Sequence, residues 1–261
     1  MHPGAWLVWV GAAGLVGVTT TNPFYLLPLF AAAYLVHSRH RRDDRHARAF
    51  KIFVLFGLLT IVTRTSLVLF EVVTRESTAH AFLEGLRLAV LLAVFGTFNS
   101  VSDPFRVLRL APRRFHEPAL AAALALSIAP RTIDAVTQVR EAQKLRGMDT
   151  RRWRSWPALA VPVLETGMEE ADVLAASMDA RGHGRGRRTR YRPDRWTWQA
   201  GVTASASAAA AVLFVGSALA GEGGLIVSTF PLRWPEATTV LVAGAFSFAV
   251  PALLPLGRES V

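Results

Sequence analysis

The sequence predicts an all-α polytopic membrane protein, with about six transmembrane helices and long, bent, amphipathic helices on the cytoplasmic side. Hydrophobic residues make up 52% of the 261 positions and the mean hydropathy is +0.32, which is too apolar for an ordinary water-soluble domain. The apolar residues are gathered in six runs that approach the roughly 20 residues a helix needs to cross a bilayer. A long polar stretch with helical periodicity separates the fourth run from the fifth.

The first two runs, 5–18 and 24–36, are short and are joined by the segment 19–23, which reads Thr-Thr-Thr-Asn-Pro. A proline disfavours helix at the residue before it, and threonine hydroxyls can satisfy the freed backbone groups. We therefore expect a hairpin that turns at the outer surface. The other four runs are 50–70, 86–98, 198–220 and 238–256.

Two features lie inside the runs themselves. Gly11, Gly14 and Gly17 predict a strip of small residues on the first span, which favours close packing against another helix. Arg64 lies within the third run, where a charge is costly. We interpret it as a structural residue that meets another helix or extends to the outer surface.

The basic residues set the orientation. Six of them follow the second run, namely Arg39, Arg41, Arg42, Arg45, Arg48 and Lys51, whereas the loop after the third run has Arg75 beside acidic residues. The positive-inside rule makes the first loop cytoplasmic and the second external. The stretch 102–195, which carries most of the remaining Arg and Lys, is then cytoplasmic as well. Six alternating spans predict a multi-pass protein of the cell membrane with both termini in the cytoplasm.

The net charge of +10 has the same explanation, since most of the basic residues lie in the loops that the rule assigns to the cytoplasm. We therefore predict that the basic segments contact the lipid bilayer and that they bind no nucleic acid. The segment 148–156 mixes arginine with tryptophan and suits an interfacial turn. The Gly- and Arg-rich coil 184–192 is predicted to lie along anionic lipid headgroups. This function suits a segment just before a span better than RNA binding does.

The first helical unit of the polar stretch begins as an apolar helix former at 119–130 and becomes amphipathic at 131–140. We expect one helix that starts in the bilayer or its interface, bends at Pro130 and emerges into the cytosol. It ends at Arg146-Gly147, because a glycine just past a periodic run is a helix stop.

The second unit repeats this design. It begins with the apolar segment 157–163, which contains Pro162, and ends at Ala180-Arg181-Gly182. Its apolar face follows steps of three and four residues and consists of Leu164, Met168, Ala171, Ala175 and Met178. The opposite face is acidic, with Glu165, Glu169, Asp172 and Asp179.

The two arginines are 35 positions apart and each lies on a final helical turn. A cation is favoured there by the negative end of the helix dipole, and the planar guanidinium can clamp carboxylates or backbone carbonyls of another molecule. A single Arg-Gly end is an ordinary cap, but two copies on parallel units indicate a docking device. We therefore predict that Arg146, Gly147, Ala180, Arg181 and Gly182 bind a cytoplasmic partner.

The sequence offers no catalytic constellation, and we expect neither a cofactor nor a metal. It has no phosphate-binding loop ending in Gly-Lys-Ser or Gly-Lys-Thr and no cysteine. His37, His40 and His46 lie among arginines, which repel a cation, so we interpret them as part of a solvated loop. One enzymatic alternative stays open: a membrane-embedded enzyme that acts on a lipid phosphate, with Arg146 and Arg181 as anion clamps.

Several motifs together resemble a known family. They are the Asn22-Pro23 hairpin, the charged loop near residue 45, the Ser-Val-Ser-Asp-Pro-Phe segment at 100–105, the Ala-Pro-Arg-Thr-Ile pattern at 129–133, and the paired Arg-Gly ends. The chain resembles the transmembrane T component of energy-coupling factor (ECF) transporters, the EcfT/CbiQ family, over nearly its whole length. Family members have paired Ala-Arg-Gly signatures, and here the first copy has Leu145 in place of the alanine.

The resemblance implies a non-catalytic coupling subunit of an ABC importer for vitamins or transition metals such as cobalt and nickel. Two cytoplasmic ATPases would each receive one arginine tip, and a separate substrate-binding S component would rest on the apolar surfaces of the coupling helices. The helices of this subunit would form an L-shaped assembly. The implied organisation is four N-terminal spans in 1–101, a coupling domain in 102–195 and two C-terminal spans in 196–261.

Overall fold

The computed structural model describes residues 1–40, 44–70, 74–148, 156–183, 194–231 and 233–255. Within these ranges every regular element is a helix, which confirms the all-α class. The predicted interfacial turn at 148–156 falls mostly outside the described residues. Arg41, Arg42 and the whole basic coil at 184–192 also lie outside the described residues.

Ten α-helices follow one another in the described ranges: α1 Pro3–Thr19, α2 Pro23–His40, α3 Asp44–Leu67, α4 Arg75–Val101, α5 Pro104–Leu108, α6 His116–Leu145, α7 Trp156–Ala180, α8 Trp198–Ala220, α9 Thr239–Ser247 and α10 Val250–Leu253. Short 3₁₀ turns at Val68–Phe70 and Arg113–Phe115 follow α3 and precede α6. The first, second, fourth and fifth predicted runs are each one continuous α-helix, and the third, 50–70, ends in the 3₁₀ turn Val68–Phe70. The sixth is divided between α9 and α10.

Within the described residues, four helices are long and apolar enough to cross a membrane, so the chain is a multi-pass membrane protein. They cover Arg48–Leu67, Arg75–Val101, Glu117–Leu145 and Trp198–Ala220, and Pro3–Thr19 is a shorter apolar helix. One of the four, Glu117–Leu145, lies in the stretch that the sequence assigns to the cytoplasmic side. Its apolar half at 119–130 has the composition expected of a helix that begins in the bilayer.

The chain forms two compact units, Met1–Leu110 with Asp194–Val261, and Ala111–Pro193. The first unit is held by a core of large apolar side chains from α1, α2, α8 and the chain just after α9. Trp9, Tyr25, Phe214 and Phe248 are fully buried there. The indole of Trp9 donates a hydrogen bond to the Phe248 carbonyl at 2.9 Å, which satisfies its one polar atom within the core.

Helices α3 and α4 pack closely through glycines. A Cβ added to Gly57 would lie 3.0 Å from the Cα of Ala89, and one added to Gly85 would lie 2.9 Å from the Cα of Ile61. The seam therefore depends on the absence of side chains at these positions. The opposite face of α3 exposes Leu55 and other apolar side chains, which suits contact with lipid.

The predicted small-residue strip on α1 is wrong for two of its three glycines. A Cβ at Gly17 would approach the Leu91 side chain to 2.7 Å, but nothing lies within 4 Å of a Cβ at Gly11 or Gly14. These two lie on the side of α1 that carries the exposed Leu15, so they do not bring α1 close to another helix in the described ranges.

The predicted hairpin between α1 and α2 is present, and it is hydrogen-bonded to the loop between α8 and α9. The buried amide of Asn22 donates to the carbonyls of Gly224 at 2.8 Å and Glu236 at 2.6 Å. The Tyr25 hydroxyl donates to the Gly223 carbonyl at 2.5 Å and accepts from the Thr238 amide at 2.9 Å. Two side chains of the hairpin thus hold both ends of a long loop.

Two of the three histidines predicted to lie in a solvated loop are instead inside the fold. His37 is buried, stacks on Phe50 with ring centroids 3.9 Å apart, and places Nδ1 2.8 Å from the Ser100 hydroxyl. The prediction failed because α2 runs on to His40 instead of ending near residue 36. Both ring nitrogens of His40 are buried without a described partner, and this burial lowers the pKa of the imidazole. The side chain of His46 is outside the described residues.

In the second unit, α6 and α7 are each continuous through their internal prolines, Pro130 and Pro162. The two helices pack on each other where α6 ends and α7 begins. Gln143 donates to the Ala158 carbonyl at 3.4 Å, and Leu159 is the buried residue of α7. Most of both helices is exposed, so the described part of this unit has little apolar core of its own.

Candidate functional site

The C-terminus of α6 has a Schellman cap. Gly147 has a φ of +78°, in the left-handed region that favours glycine. The amide of Met148 donates to the carbonyl of Gln143 at 3.0 Å, and that of Gly147 donates to Lys144 at 3.0 Å. Arg146 is the cap residue between helix and glycine. The predicted helix stop is confirmed.

The C-terminus of α7 has the same cap. Gly182 has a φ of +76°, the amide of His183 donates to Met178 at 2.9 Å, and the amide of Gly182 donates to Asp179 at 2.9 Å. Arg181 occupies the place that Arg146 has on α6. The two hydrogen-bond patterns match residue for residue, so the sequence repeat corresponds to a structural one.

Both arginine side chains are exposed, and neither makes an ion pair with any residue in the described ranges. Each stands at the end of a helix whose last carbonyls carry partial negative charge. As far as the described residues go, the donors of each guanidinium are available to another molecule. The exposed pair therefore has the chemistry to bind carboxylates or carbonyl groups of a partner.

The tip of α6 also exposes a large apolar side chain. Leu145, immediately before Arg146, is 90% exposed, whereas the equivalent residue of α7 is the small Ala180. The sequence shows this leucine as a departure from the Ala-Arg-Gly pattern but does not mark it as part of the site. Its exposure makes it a candidate contact residue beside the arginine.

The predicted apolar face of α7 is largely uncovered. Leu164 and Met168 are 64% and 70% exposed, Ala171 and Ala175 are exposed, and only Met178 is half-buried. Val161 extends this stripe toward the N-terminus of α7 and is 62% exposed. The sequence reasoning omitted Val161, although it lies three residues before Leu164 on the same helical face.

Other residues singled out in the sequence stay apart from this site. Arg64 is exposed near the end of α3, and its Cβ lies 3.6 Å from a Cβ added to Gly85. Across the residues with described positions, no group of three or more His, Asp or Glu side chains is arranged to hold a metal ion. The candidate site thus consists of the two caps, Leu145 and the α7 stripe.

Comparison with known proteins identifies the family. Residues 1–191 match the CbiQ family, described as "Cobalt transport protein". A relative from Exiguobacterium sibiricum, named "Energy-coupling factor transporter transmembrane protein EcfT", is 28% identical over 213 residues, which cover 70% of this chain and 78% of the relative.

Two other relatives carry the same name. The one from Streptococcus equi subsp. equi is 33% identical over 41% of this chain and 44% of its own length. The one from Thermanaerovibrio acidaminovorans is 31% identical over 48% of this chain and 52% of its own length. The matched region thus spans about half the length of these two relatives. The chain belongs to the CbiQ/EcfT family and is a transmembrane component of an ECF transporter.

Proposed function

We propose that this transmembrane component couples two cytoplasmic ATPase subunits to a separate substrate-binding membrane subunit, with one arginine tip docked in each ATPase. The observation that carries the proposal is the equivalence of the two caps, in which Arg146 and Arg181 occupy the same position of the same turn. Two copies of one docking element suit a motor that is built from two similar subunits.

The chemistry of the tips favours such docking. Neither arginine has to leave an ion pair in the described part of the chain before it binds a partner. The Schellman caps fix the backbone on both sides of each arginine, so little backbone entropy is lost on binding. The long side chains can then enter acidic or carbonyl-lined grooves.

The α7 stripe is proposed to hold the substrate-binding subunit. Its exposed members Val161, Leu164 and Met168 form an apolar ridge beside an acidic face that begins at Glu165. Flexible methionine and small alanine side chains suit packing against a hydrophobic helix of another subunit. ATP-driven movement of the tips would shift this ridge and thereby move the subunit that rests on it.

The proposal includes location and cargo. The protein lies in the cell membrane with both termini in the cytoplasm, and the insert 111–193 lies on the cytoplasmic side, with its apolar segment 119–130 in the bilayer or its interface, in accord with the positive-inside rule. The cargo is a vitamin or a transition metal. The family description names cobalt. In this proposal the separate substrate-binding subunit selects the substrate.

Charge reversal tests the docking. The chain would be co-expressed with the ECF-type ATPase subunits of its own genome and purified in mild detergent, and the bound ATPase measured. We expect R146E/R181E to lose capture while its membrane insertion is unchanged, because insertion depends on the spans. Arg131→Glu, an exposed arginine earlier on α6, is the matched control and should capture normally.

Unchanged capture by the double variant would refute the docking role of the tips. If the unaltered chain captures no ATPase, the coupling proposal itself fails. A chain that instead turned over a lipid phosphate in isolation would support the enzymatic alternative.

A further inference from the structure

The insert 111–193 leaves and rejoins the membrane unit at two chain crossings, which follow Leu110 and precede Asp194. Both crossings are bordered by charged residues of the membrane unit. Arg106 lies on α5, just before the first crossing, and Asp194 stands at the second. Under the proposed function, movement of the insert reaches the membrane unit along the chain at these two points.

Arg106 and Asp194 form an ion pair across 88 positions of sequence. Nε and Nη2 of Arg106 both donate to Oδ1 of Asp194, at 3.1 and 2.5 Å. The side chains are only 32% and 20% exposed, so water screens this pair less than it would a surface salt bridge. Two charge-assisted hydrogen bonds to one oxygen also fix the orientation of the guanidinium.

Each partner is attached to a firmly held element. The α5 helix begins with Pro104, and its cap residue Asp103 accepts from the Phe105 amide at 3.0 Å. The Ser102 amide donates to the Phe98 carbonyl at 2.8 Å, which joins this segment to the end of α4.

On the other side, Trp196 follows two residues after Asp194 and packs against His2, with ring centroids 4.6 Å apart and ring planes tilted by 49°. Thr197 then caps α8 by accepting from the Ala200 amide at 3.3 Å. The ion pair therefore connects α4 and α5 with the start of α8.

We propose that the Arg106–Asp194 pair is a clasp that keeps the two chain crossings together, so that movement of the insert is transmitted to the membrane unit instead of separating the crossings. This inference rests on the proposed function for its purpose. Without the clasp, a pull on the insert would first spread α5 and the start of α8, because a closed loop of more than 80 residues places little restraint on its own ends. Arg106 and Asp194 are positioning residues in this scheme.

The test uses the natural absence of cysteine. Arg109 and Arg195 are exposed residues on the two sides of the clasp, and both would be replaced by cysteine in the full-length chain. The measurement is the rate of cross-linking between the two thiols by a short bis-maleimide, in membranes that contain the chain alone or with ATPases and Mg-ATP. The variants are R106A, D194A and the reciprocal swap R106D/D194R. Glu84→Ala, which breaks an i,i+3 pair within α4, is the control.

We expect R106A and D194A to lower the cross-linking rate about five- to thirtyfold, the range that loss of one or two kcal/mol implies. Mg-ATP should lower it further only in these two variants, and the swap should restore the native rate. Glu84→Ala should behave like the unaltered chain.

Native cross-linking rates in R106A and D194A, with and without Mg-ATP, would overturn the clasp. Failure of the swap to restore the rate would also overturn it, since the effect would then belong to other contacts of Arg106. If no ATPase binds, the proposed function fails, yet the rates measured on the chain alone still decide whether the pair holds the crossings together.

Discussion

Arg146 and Arg181 are cap residues in two copies of one turn, each followed by a glycine with φ near +77° and each preceded by a helix of 25 residues or more. The amides two residues beyond them, of Met148 and His183, each donate to a carbonyl five positions earlier. This equivalence makes the backbone conformation at both arginines depend on the glycines that follow them.

The glycines at the caps should therefore be sensitive to substitution. Gly182→Ala places a Cβ in the left-handed region, which costs about 1–2 kcal/mol. We expect the last turn of α7 to fray, so that hydrogen exchange of the Arg181 and His183 amides becomes about tenfold faster, and ATPase capture to weaken. Hydrogen-exchange mass spectrometry of the full chain measures the first effect.

Gly167→Ala is the matched control, because Gly167 lies inside α7 and nothing lies within 4 Å of an added Cβ. Here alanine should slow exchange, since it favours helix over glycine by about 0.5–1 kcal/mol. Equal exchange in Gly182→Ala and the unaltered chain would contradict the importance of the caps.

The α3–α4 seam predicts a contrast between two glycines of the membrane unit. Gly85→Ala pushes a Cβ against the Ile61 backbone and should lower the free energy of unfolding by about 1–3 kcal/mol. Gly11→Ala has open space and should cause no loss. Denaturant titration in detergent compares the two, and equal stability of both variants would be inconsistent with close packing at the seam.

The Asn22 contacts predict that a carboxylate is not tolerated at this position. Asn22→Asp replaces a donor to two carbonyls with a negative charge that faces them, which costs about 1–3 kcal/mol or more. We expect a lower melting temperature and proteolysis in the loop between α8 and α9. Asn99→Asp, an exposed position on α4, should melt like the unaltered chain; a similar loss there would show that the charge alone is responsible.

The proposed orientation predicts which single cysteines are labelled in intact cells. Ile226→Cys lies in the loop between α8 and α9 at a position that is 77% exposed, and an impermeant maleimide should label it. Arg109→Cys should react only after the cells are permeabilised. Labelling of Arg109→Cys in intact cells would reverse the orientation.

The helices and their ends could be predicted from the sequence because they depend on local signals. Apolar runs define the spans, and the glycines after Arg146 and Arg181 stop their helices where expected. The paired caps could be predicted for the same reason, since each is complete within a few residues.

Contacts between distant segments could not be predicted. Nothing near His37 in sequence indicates that its ring forms a hydrogen bond with the hydroxyl of Ser100, 63 positions away. Glycine spacing likewise cannot say which face of α1 meets a neighbour, so Gly11 and Gly14 were misassigned while Gly57 and Gly85 passed unnoticed. Asn22 and Tyr25 acquire their roles only when the loop 223–238 folds over them.

The uncovered stripe of α7 has a consequence for the cell. A copy of this chain that has not found its neighbours presents Val161, Leu164 and Met168 to the solvent. Such a surface is adhesive and is a ready target for chaperones and quality-control proteases. The abundance of the protein should therefore follow that of its partner subunits, and a copy that lacks these partners should be degraded rather than accumulate.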